Sequence, residues 1–470
     1  MTPIELARAA WLGGDALRRR RLRFKRYTFG DQWGDMVLTN TDETMSELEL
    51  LRRTGHHPTT CNMILPAVTA IVGHYRQKVL EKTNNASETA PAAMSGLETD
   101  CSTLQEFLIS GCAIQRLSVE NRDGTVRTWA DMVSPARFFI DQAATVLPSH
   151  MRLVGRLHDM PLMHVLLKFA HGNRRKASRL RDIFDKEAPF PVMPDGVSHG
   201  IGQSFNDTIE FDKPSLPGTM RVVELWTLEC GESTRCLDPD TGVVQEFPHD
   251  DDSLIRRNNR RRRKGQTPLQ RRWSLLPKWR CRYITASGTV IDEFYADSHP
   301  FVFAFYPAID GEIHPMVEDL IDRQRHINRL LTLNDRIVAS SAKGVLLFPE
   351  NQTSASMPMS DVADNWAAPD GVVLYRALPG LPGPQQMVGS PSNFGLHAMV
   401  QTELSLISEV SGVSRALRGQ DMSSSAGAEL YRHKQEGATT ALSHVLGAFE
   451  AFIERRDAKA DVLGRNCCDT

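Results

Sequence analysis

The sequence predicts an α+β fold in which helical regions at both ends of the chain enclose a strand-rich middle. Apolar residues recur with the 3.6-residue period of a helix in residues 316–343. β-Branched and aromatic residues dominate residues 220–229 and 301–308, a composition typical of strands. At 470 residues the chain exceeds one typical core, so we expect two or three packed regions.

The first third of the chain has mostly helical patterns. Its first helix is strongly basic, and a polar linker over residues 84–96 ends the third. A turn at residues 121–124 indicates short strands between residues 113 and 141. The predicted helices span residues 4–26, a segment starting near Thr41, residues 59–83, 98–112 and 161–186.

The middle of the chain contains the predicted strands, at residues 220–229, 242–247, 279–295 and 301–308. A basic run at residues 256–264 lies among them, with seven positive charges and no acidic residue. It is too polar for a core, so we expect a mobile, solvated loop there.

Two long helices and an insert between them organise the last third. Pro315 precedes the first helix and Gly344 follows it, as is common at helix ends. At 1.5 Å per residue this helix is about 40 Å long. The insert, residues 344–393, is rich in proline and glycine and has two strand-like patterns. Further helices are predicted over residues 394–410 and 428–460.

The charge balance limits the function. Proteins that grip duplex DNA tightly use many lysine and arginine contacts, whereas this chain has a net charge of −2. It suits a surface past which DNA slides. No run of eighteen apolar residues is present, so we expect no membrane-spanning helix. The N-terminal basic residues follow the apolar stretch, the reverse of a secretory signal.

Neither the cysteines nor the motifs indicate a catalytic or metal site. The eight cysteines form no CxxC motif, and Cys230 and Cys236, which flank a turn, either pair or stay reduced, the state favoured in cytosol. The phosphate-binding motif GxxxxGK[ST], the GxSxG elbow and HExxH are absent. We therefore expect no enzymatic activity and no cofactor.

An acidic run, Asp250, Asp251 and Asp252, is the one feature that suggests a nuclease. Carboxylates of this kind hold Mg²⁺ in such enzymes. Neighbouring residues of a strand point to opposite faces, however, so a solvated acidic loop is favoured. A metal-dependent DNA-processing enzyme using these residues and the adjacent basic run remains the alternative function.

Five segments, in order along the chain, resemble the portal proteins of double-stranded DNA phages, and most of all those of short-tailed phages. The most specific is the fourth, with a Pro-containing strand, a glycine and a helix bearing the pattern L-I-D-x-Q-x-x-I-N. The segments are RRRLRFKRYTFGDQWGD (19–35), the stretch from GCAIQRLS to FFID (111–141), VVELWTLE (222–229), the stretch from FYPAIDG to ASSAKG (305–344) and the stretch from ISEVSG to KQEGA (407–438).

The resemblance implies a portal fold with a mixed α/β wing, a two-helix stem, a small α/β clip and a flexible tunnel loop. Little chain follows residue 463, so we expect little or no crown. The implied domains are the wing (1–315, strand-rich from about 220), the first stem helix (316–342), the clip (343–393), the second stem helix (394–412), the tunnel loop (413–426), the long wing helix (427–463) and a tail (464–470).

The same resemblance implies a function and its partners. Portal proteins form a closed ring of twelve copies at one capsid vertex, through which DNA is packaged and ejected. The terminase large subunit docks on the ring and a tail adaptor replaces it; the major capsid and scaffolding proteins surround it. The implied location is the portal vertex of the virion, assembled in the bacterial cytoplasm, with no membrane partner. A ring-forming tail adaptor fits the length and paired stem helices less well.

Three sets of candidate site residues follow from the resemblance. The tunnel-loop set would face passing DNA, although an ordinary helix connector is the alternative; it comprises Arg415, Arg418, Gln420 and Met422. The stem set would pair between subunits or within the helix, as in Asp319–Arg323 and Asp322–His326; it comprises Asp322, Arg323, Arg325, Arg329, Asp335 and Arg336. The basic set would contact nucleic acid or capsid, or be merely solvated; it comprises Arg260, Arg261, Arg262, Arg263 and Lys264.

Overall fold

The structure of the chain is a computed structural model. It describes residues 1–39, 42–53, 57–85, 90–122, 125–141, 151–187, 209–239, 241–248, 252–309, 311–341, 345–354, 357–367, 372–380, 382–387, 394–413 and 428–468. The chain forms two compact units. Unit 1 comprises Met1–Arg26, Val68–Glu318 and Arg432–Thr470, and unit 2 comprises Tyr27–Ala67 and Asp319–Tyr431.

The described helices are α1 (Pro3–Gly13), α2 (Asp15–Thr28), α3 (Glu47–Arg53), α4 (Ile64–Asn85), α5 (Ala90–Ser110), α6 (Leu162–Phe169), α7 (Arg174–Glu187), α8 (Asp252–Arg263), α9 (Met316–Ser341), α10 (Met359–Ala367), α11 (Phe394–Ser411) and α12 (Ala428–Cys468). The described strands are β1 (Met36–Leu38), β2 (Thr44–Ser46), β3 (Cys112–Arg122), β4 (Thr125–Met132), β5 (Phe138–Ile140), β6 (Leu153–Pro161), β7 (Thr219–Leu237), β8 (Val244–Pro248), β9 (Gln270–Thr285), β10 (Val290–Ala296), β11 (Phe301–Phe305), β12 (Ala308–Ile309), β13 (Glu312–Ile313), β14 (Val345–Leu347) and β15 (Gln385–Met387). The chain is therefore mixed α and β, as the sequence predicts.

Unit 1 is built on two antiparallel sheets. The larger has the order β10-β9-β7-β6-β5, with β8 paired to the far end of β7. The smaller has the order β11-β3-β4. Strand β9 pairs with β7 over its whole length, from Val222–Thr285 to Leu237–Gln270. The far halves of the two strands therefore extend as a two-stranded ribbon with β8 beside it.

The apolar faces of these sheets form the core of unit 1. One cluster gathers buried residues from both sheets and from α6 and α7, among them Val222, Trp226 and Phe301. A second cluster lies under α1, where Trp11 meets Phe139 edge-on at 6.2 Å. Helix α5 leads into β3 through Gly111, whose φ is +71°. A Cβ there would lie 2.7 Å from the Tyr306 carbonyl oxygen, so the turn requires glycine.

Unit 2 contains the long helix α9 from Asp319 to Ser341, helix α11, and the described parts of the segment between them. That segment has the small β14–β15 pair and helix α10. Residues 27–67 belong to the same unit and include the β1–β2 hairpin and α3. Helix α9 begins at the residue at which its sequence pattern predicts a start, and α11 also begins where predicted.

Several predicted helix limits are wrong for local reasons. The single helix predicted over residues 4–26 is two helices, because Gly13 and Gly14 interrupt it and the Gly14 N–H bonds back to Trp11 O. The helix predicted from Thr41 begins only at Glu47, because the β1–β2 hairpin, with Asp42 in the left-handed region, comes first. The predicted linker at 84–96 is largely helix, since α5 begins at Ala90.

The basic run at residues 256–264 is not the predicted loop. Residues 252–263 form helix α8, which is anchored by buried Leu254 and Asn258. Cys230 and Cys236 are both free thiols, as favoured. Among the described residues no helix combines the length and apolarity that crossing a bilayer requires.

Candidate functional site: the long helices and their buried networks

Helix α9 has a stripe of buried polar side chains. Gln324, Asn328 and Thr332 follow at four-residue spacing and so share one face. Their exposed fractions are 0%, 1% and 7%, and buried amides and hydroxyls need hydrogen-bond partners. Thr332 Oγ1 accepts from the Thr59 N–H at 3.0 Å. The stripe therefore binds a segment far away in sequence.

Main-chain groups of residues 59–63 supply most of these partners. Gln324 Nε2 donates to Cys61 O at 2.7 Å, and its Oε1 accepts from the Met63 N–H at 2.8 Å. Asn328 Oδ1 accepts from the Cys61 N–H at 3.1 Å. The two amide side chains thus satisfy a peptide segment that has no regular secondary structure of its own.

The same network reaches the Gln-Trp pair near the start of the chain. Asn328 Nδ2 donates to Gln32 Oε1 at 2.6 Å, and Gln32 Nε2 donates to Tyr27 O at 2.7 Å. Trp33 Nε1 donates to Thr60 Oγ1 at 2.9 Å. The Gln and Asn of the α9 pattern and the Gln-Trp pair, two of the features that carry the portal resemblance, therefore meet inside unit 2.

Two stem arginines share one buried carboxylate. Arg329 donates to Glu47 Oε1 from Nε at 2.8 Å and from Nη2 at 2.6 Å, and Arg325 Nη2 lies 3.3 Å from Glu47 Oε2. Glu47, the first residue of α3, is only 8% exposed. Arg325 and Arg329 thus have a partner within their own chain.

Two further side chains of α9 meet a carboxylate of α11. Arg323 Nη1 lies 3.5 Å from Glu403 Oε1, and His326 Nδ1 lies 3.1 Å from the same atom. Glu403 is 7% exposed. The sequence predicts pairing with Asp319 and Asp322 within α9, or pairing between subunits; the structure places Glu403 beside both side chains, which links the two long helices.

The remaining stem residues face outwards. Asp335 Oδ2 accepts from Thr59 Oγ1 at 2.6 Å and is exposed. Asp322 and Arg336 are exposed, and with Leu333 they occupy positions i, i+11 and i+14, which lie on one side of the helix. Leu333 is 41% exposed. This side of α9 presents both signs of charge around an apolar centre.

Helix α11 is exposed over most of its circumference. Its buried residues are Glu403, Ile407 and Ser411, a narrow stripe at four-residue spacing. Met399 and Val410 are 47% and 48% exposed. An apolar helix that buries so little within one chain has faces available to another copy.

Unit 1 holds the most deeply buried charge of the described chain. Glu224 on β7 is completely buried and accepts from His158 Nε2 at 2.7 Å and Trp226 Nε1 at 3.0 Å. Arg116 Nη2 lies 3.3 Å from the carboxylate. These residues come from β3, β6 and β7. Glu224 and Trp226 are the Glu and Trp of the V-x-E-x-W pattern.

The protonation states in this cluster are set by burial and pairing. Burial alone raises the pKa of Glu224, but the His158 hydrogen bond and the Arg116 charge outweigh it and hold that pKa well below its ordinary value. Burial lowers the pKa of His158, with Glu224 acting against it. The imidazole is therefore neutral at neutral pH and donates through Nε2. Both carboxylate oxygens are satisfied, so the cluster ties three strands together.

A second buried carboxylate joins the long C-terminal helix to unit 1. Asp100 on α5 accepts from Gln115 Nε2 at 3.0 Å and also from the Arg456 guanidinium on α12. Burial raises the pKa of Asp100, and Arg456 acts against it. Lys459, one turn further along α12, donates to Phe301 O at 3.0 Å. Sequence patterns give no sign of these long-range pairs.

The basic set has two environments. Arg261 is tied down: Nη1 and Nη2 lie 2.7 and 2.6 Å from the two oxygens of Asp238, and Nε donates to Thr267 O at 2.9 Å. The other members, Arg260, Arg262, Arg263 and Lys264, are exposed. The structure therefore separates one structural arginine from four cations on the surface.

For the remaining candidate residues the structure describes no side-chain environment. Arg415, Arg418, Gln420 and Met422 fall outside the described residues, as do Asp250 and Asp251. Asp252 begins α8, and its side chain is not described. In the part of the chain that is described, histidine, cysteine and acidic residues form no group of three suited to a metal ion.

The buried networks and the two linked long helices are typical of a structural protein, and the comparisons specify its family. A family model described as "Phage P22-like portal protein" matches residues 5–456, nearly the whole chain. The chain belongs to that family, which confirms the resemblance to portal proteins and agrees with the short-tailed-phage type. Membership implies an oligomeric ring with capsid and tail partners in the virion. A search of curated proteins finds no match.

Proposed function

We propose that this chain is the subunit of a dodecameric ring at one vertex of the capsid, through which duplex DNA enters during packaging and leaves at ejection. The terminase large subunit would dock on the ring first, and a tail adaptor would replace it. Scaffolding and major capsid proteins would surround the ring during assembly in the host cytoplasm. We assign this chain no catalytic step and no cofactor.

The observation that carries the proposal is the incomplete burial of the two long helices. Leu333 and Val338 on α9 are 41% and 49% exposed, and Met399 and Val410 on α11 are 47% and 48% exposed. In a closed ring one face of each subunit meets the opposite face of the next. Residues 316–342 and 394–412 would then be stem helices whose uncovered apolar residues are buried by neighbouring copies.

The charged stem residues suit the same arrangement. Asp322, Arg329 and Arg336 surround Leu333 on the uncovered side of α9. Both signs are present, so copies set side by side can place opposite charges together and thereby fix their register. Arg325 and Arg329 stay with Glu47 inside their own subunit. We thus assign the subunit contact to Asp322 and Arg336, with Arg323 and Asp335 at its margin.

The segment between the stem helices would be the clip, which meets terminase and adaptor. Its described part exposes several large apolar side chains, and exposed apolar groups of this kind mark protein-binding surfaces. They are Leu347, Met359, Val372, Leu374 and Tyr375, between 45% and 68% exposed.

Residues 413–426 would form the tunnel loop, with Arg415, Arg418, Gln420 and Met422 towards passing DNA. A loop of this kind touches phosphates transiently and positions no base. Deletion of Gly419 through Ser425 therefore leaves ring assembly intact, since shortening a connector changes the closure free energy by only about 1 kcal/mol or less. DNA retained per particle falls.

The test compares filled particles made with the deletion and with the intact chain. Electron microscopy of the purified rings is the control for assembly. Reduced retention with normal rings supports a channel loop. Normal filling and retention would show that the segment is only a connector, and loss of rings would show that it is part of the subunit contact.

A further inference from the structure

The far end of the β7–β9 ribbon has its own small module, and α8 is its outer layer. Leu254 of α8 packs with Cys236 of β7 and Leu269, and these three form a separate buried cluster. Asn258, 8% exposed, accepts from the Leu269 N–H at 2.9 Å. With the Arg261–Asp238 pair, these contacts fix which side of α8 faces the ribbon.

The opposite side of α8 presents a row of arginines. Arg256, Arg260 and Arg263 occupy positions i, i+4 and i+7, so they form one stripe, and all three are exposed. Like charges four residues apart on a helix repel each other and destabilise it. Repulsion between these cations therefore destabilises α8, and binding of an anionic partner would offset that repulsion.

Strand β9 adds a cation to the module. Arg271 of β9 is in register with Cys236 of β7, and the positive charges of Arg271 and Arg257 act against the rise in the pKa of the Cys236 thiol that burial causes. Arg271 and Lys264 are exposed. Residues 256–264 have seven positive charges in a chain of net charge −2, so all other residues together carry −9. The positive charge is concentrated here.

We infer that the outer face of α8, formed by Arg256, Arg260 and Arg263, binds the phosphate backbone of duplex DNA without reading its sequence. This inference rests on the proposed function for the identity of the polyanion. The stripe spans about 10 Å along the helix, a distance that covers about three phosphates of one strand at 3.4 Å per step. The planar guanidinium group of arginine can donate two parallel N–H bonds to two oxygens of one phosphate. DNA is thus bound at a fixed surface of unit 1, separately from the tunnel loop.

The test is anisotropy of a fluorescein-labelled 30-base-pair duplex titrated with the full chain at several salt concentrations. The variant R256Q/R260Q/R263Q binds at least tenfold more weakly at 0.1 M salt. The slope of log affinity against log salt becomes less negative by about 2–3, because each lost phosphate contact contributes about 0.9. R256K/R260K/R263K keeps the charge but loses the paired donors, so its salt slope stays that of the natural chain while its affinity lies between those of the natural chain and the glutamine variant.

The matched control is R175Q/R179Q/R181Q on α7, which removes three exposed arginines from the same unit. It changes affinity less than twofold and leaves the slope unaltered. Equal losses in both glutamine variants, or no binding by the natural chain, would overturn the inference. Displacement of the duplex by polyglutamate of equal charge would also overturn it and indicate an acidic protein partner.

Ring formation is measured on the same samples by light scattering. If rings fail to form while the α8 variant alone loses DNA, the inference stands and the proposed function does not. If rings form and DNA affinity is unchanged by the α8 substitutions, only the inference fails.

Discussion

Helices α8 and α9 are both rich in arginine, yet they use the residue in opposite ways. On α9, Arg325 and Arg329 donate to Glu47, a carboxylate that is 8% exposed, and Arg323 lies beside Glu403. On α8 one arginine, Arg261, is held by Asp238, whereas the outer stripe points into solvent.

The difference shows that an arginine's role depends on what the fold brings opposite it. The partners of α9 come from segments more than 270 residues away for Glu47 and 80 residues away for Glu403. Asp238 is 23 residues from Arg261. Paired arginines hold elements of one subunit together, and uncovered ones are available to a partner. Loss of a paired arginine's partner should therefore lower the stability of the subunit, whereas loss of an exposed arginine should lower binding.

The largest expected effect is that of Glu47→Ala. It leaves Arg325 and Arg329 without their shared carboxylate, so we expect a loss of about 1–3 kcal/mol in the free energy of unfolding; the lower part of that range reflects the solvent exposure of Arg329. Urea denaturation at one fixed protein concentration measures it, because subunit association also contributes to stability.

Glu49→Ala is the control for that experiment. Glu49 lies on the same helix and pairs with Arg53 at 2.9 Å, but both side chains are more than half exposed. Such a pair contributes about 0.5 kcal/mol or less. Equal losses in the two variants would contradict the structural role given to the α9 arginines.

An effect confined to α8 and the ribbon, and not on unfolding of the whole subunit, is expected from Arg261→Ala. It removes two charge-assisted hydrogen bonds to Asp238 and one to Thr267 O, contacts that contribute about 1.5–3 kcal/mol to holding α8 on the ribbon. Hydrogen exchange of the α8 amides should accelerate about tenfold or more, since 1.4 kcal/mol corresponds to a factor of ten.

Arg260→Ala, one residue away and exposed, should leave that exchange within about twofold, as expected for a surface site. DNA affinity should respond in the opposite order and fall more for Arg260→Ala than for Arg261→Ala. If the two substitutions accelerate exchange of the α8 amides equally, the distinction between a structural arginine and a solvent-exposed one is wrong.

Sequence periodicity was sufficient for the long helices but not for α8. Helix α9 has an apolar stripe and clear flanking residues, so both ends could be predicted to within a residue or two. Helix α8 has a single buried apolar residue among those described, Leu254, and its other anchors are Asn258 and Arg261. Without an apolar repeat the run is predicted as a loop, and only tertiary contacts identify it as a helix.

The buried networks show a second limit. The portal motifs mark Gln32, Glu224, Gln324 and Asn328, but no spacing rule reveals that Asn328 binds Gln32 across 296 residues. Likewise, nothing local predicts that His158 and Arg116 meet Glu224. Such pairs depend on topology, so a sequence alone identifies the residues and leaves their partners open.

The most direct test of the central claim, that this chain is a ring-forming portal subunit, is the mass and shape of the purified protein. Gel filtration with light scattering, followed by negative-stain microscopy, should show closed rings with a central channel, mostly of twelve copies. A stable monomer across all salt and protein concentrations would contradict the account.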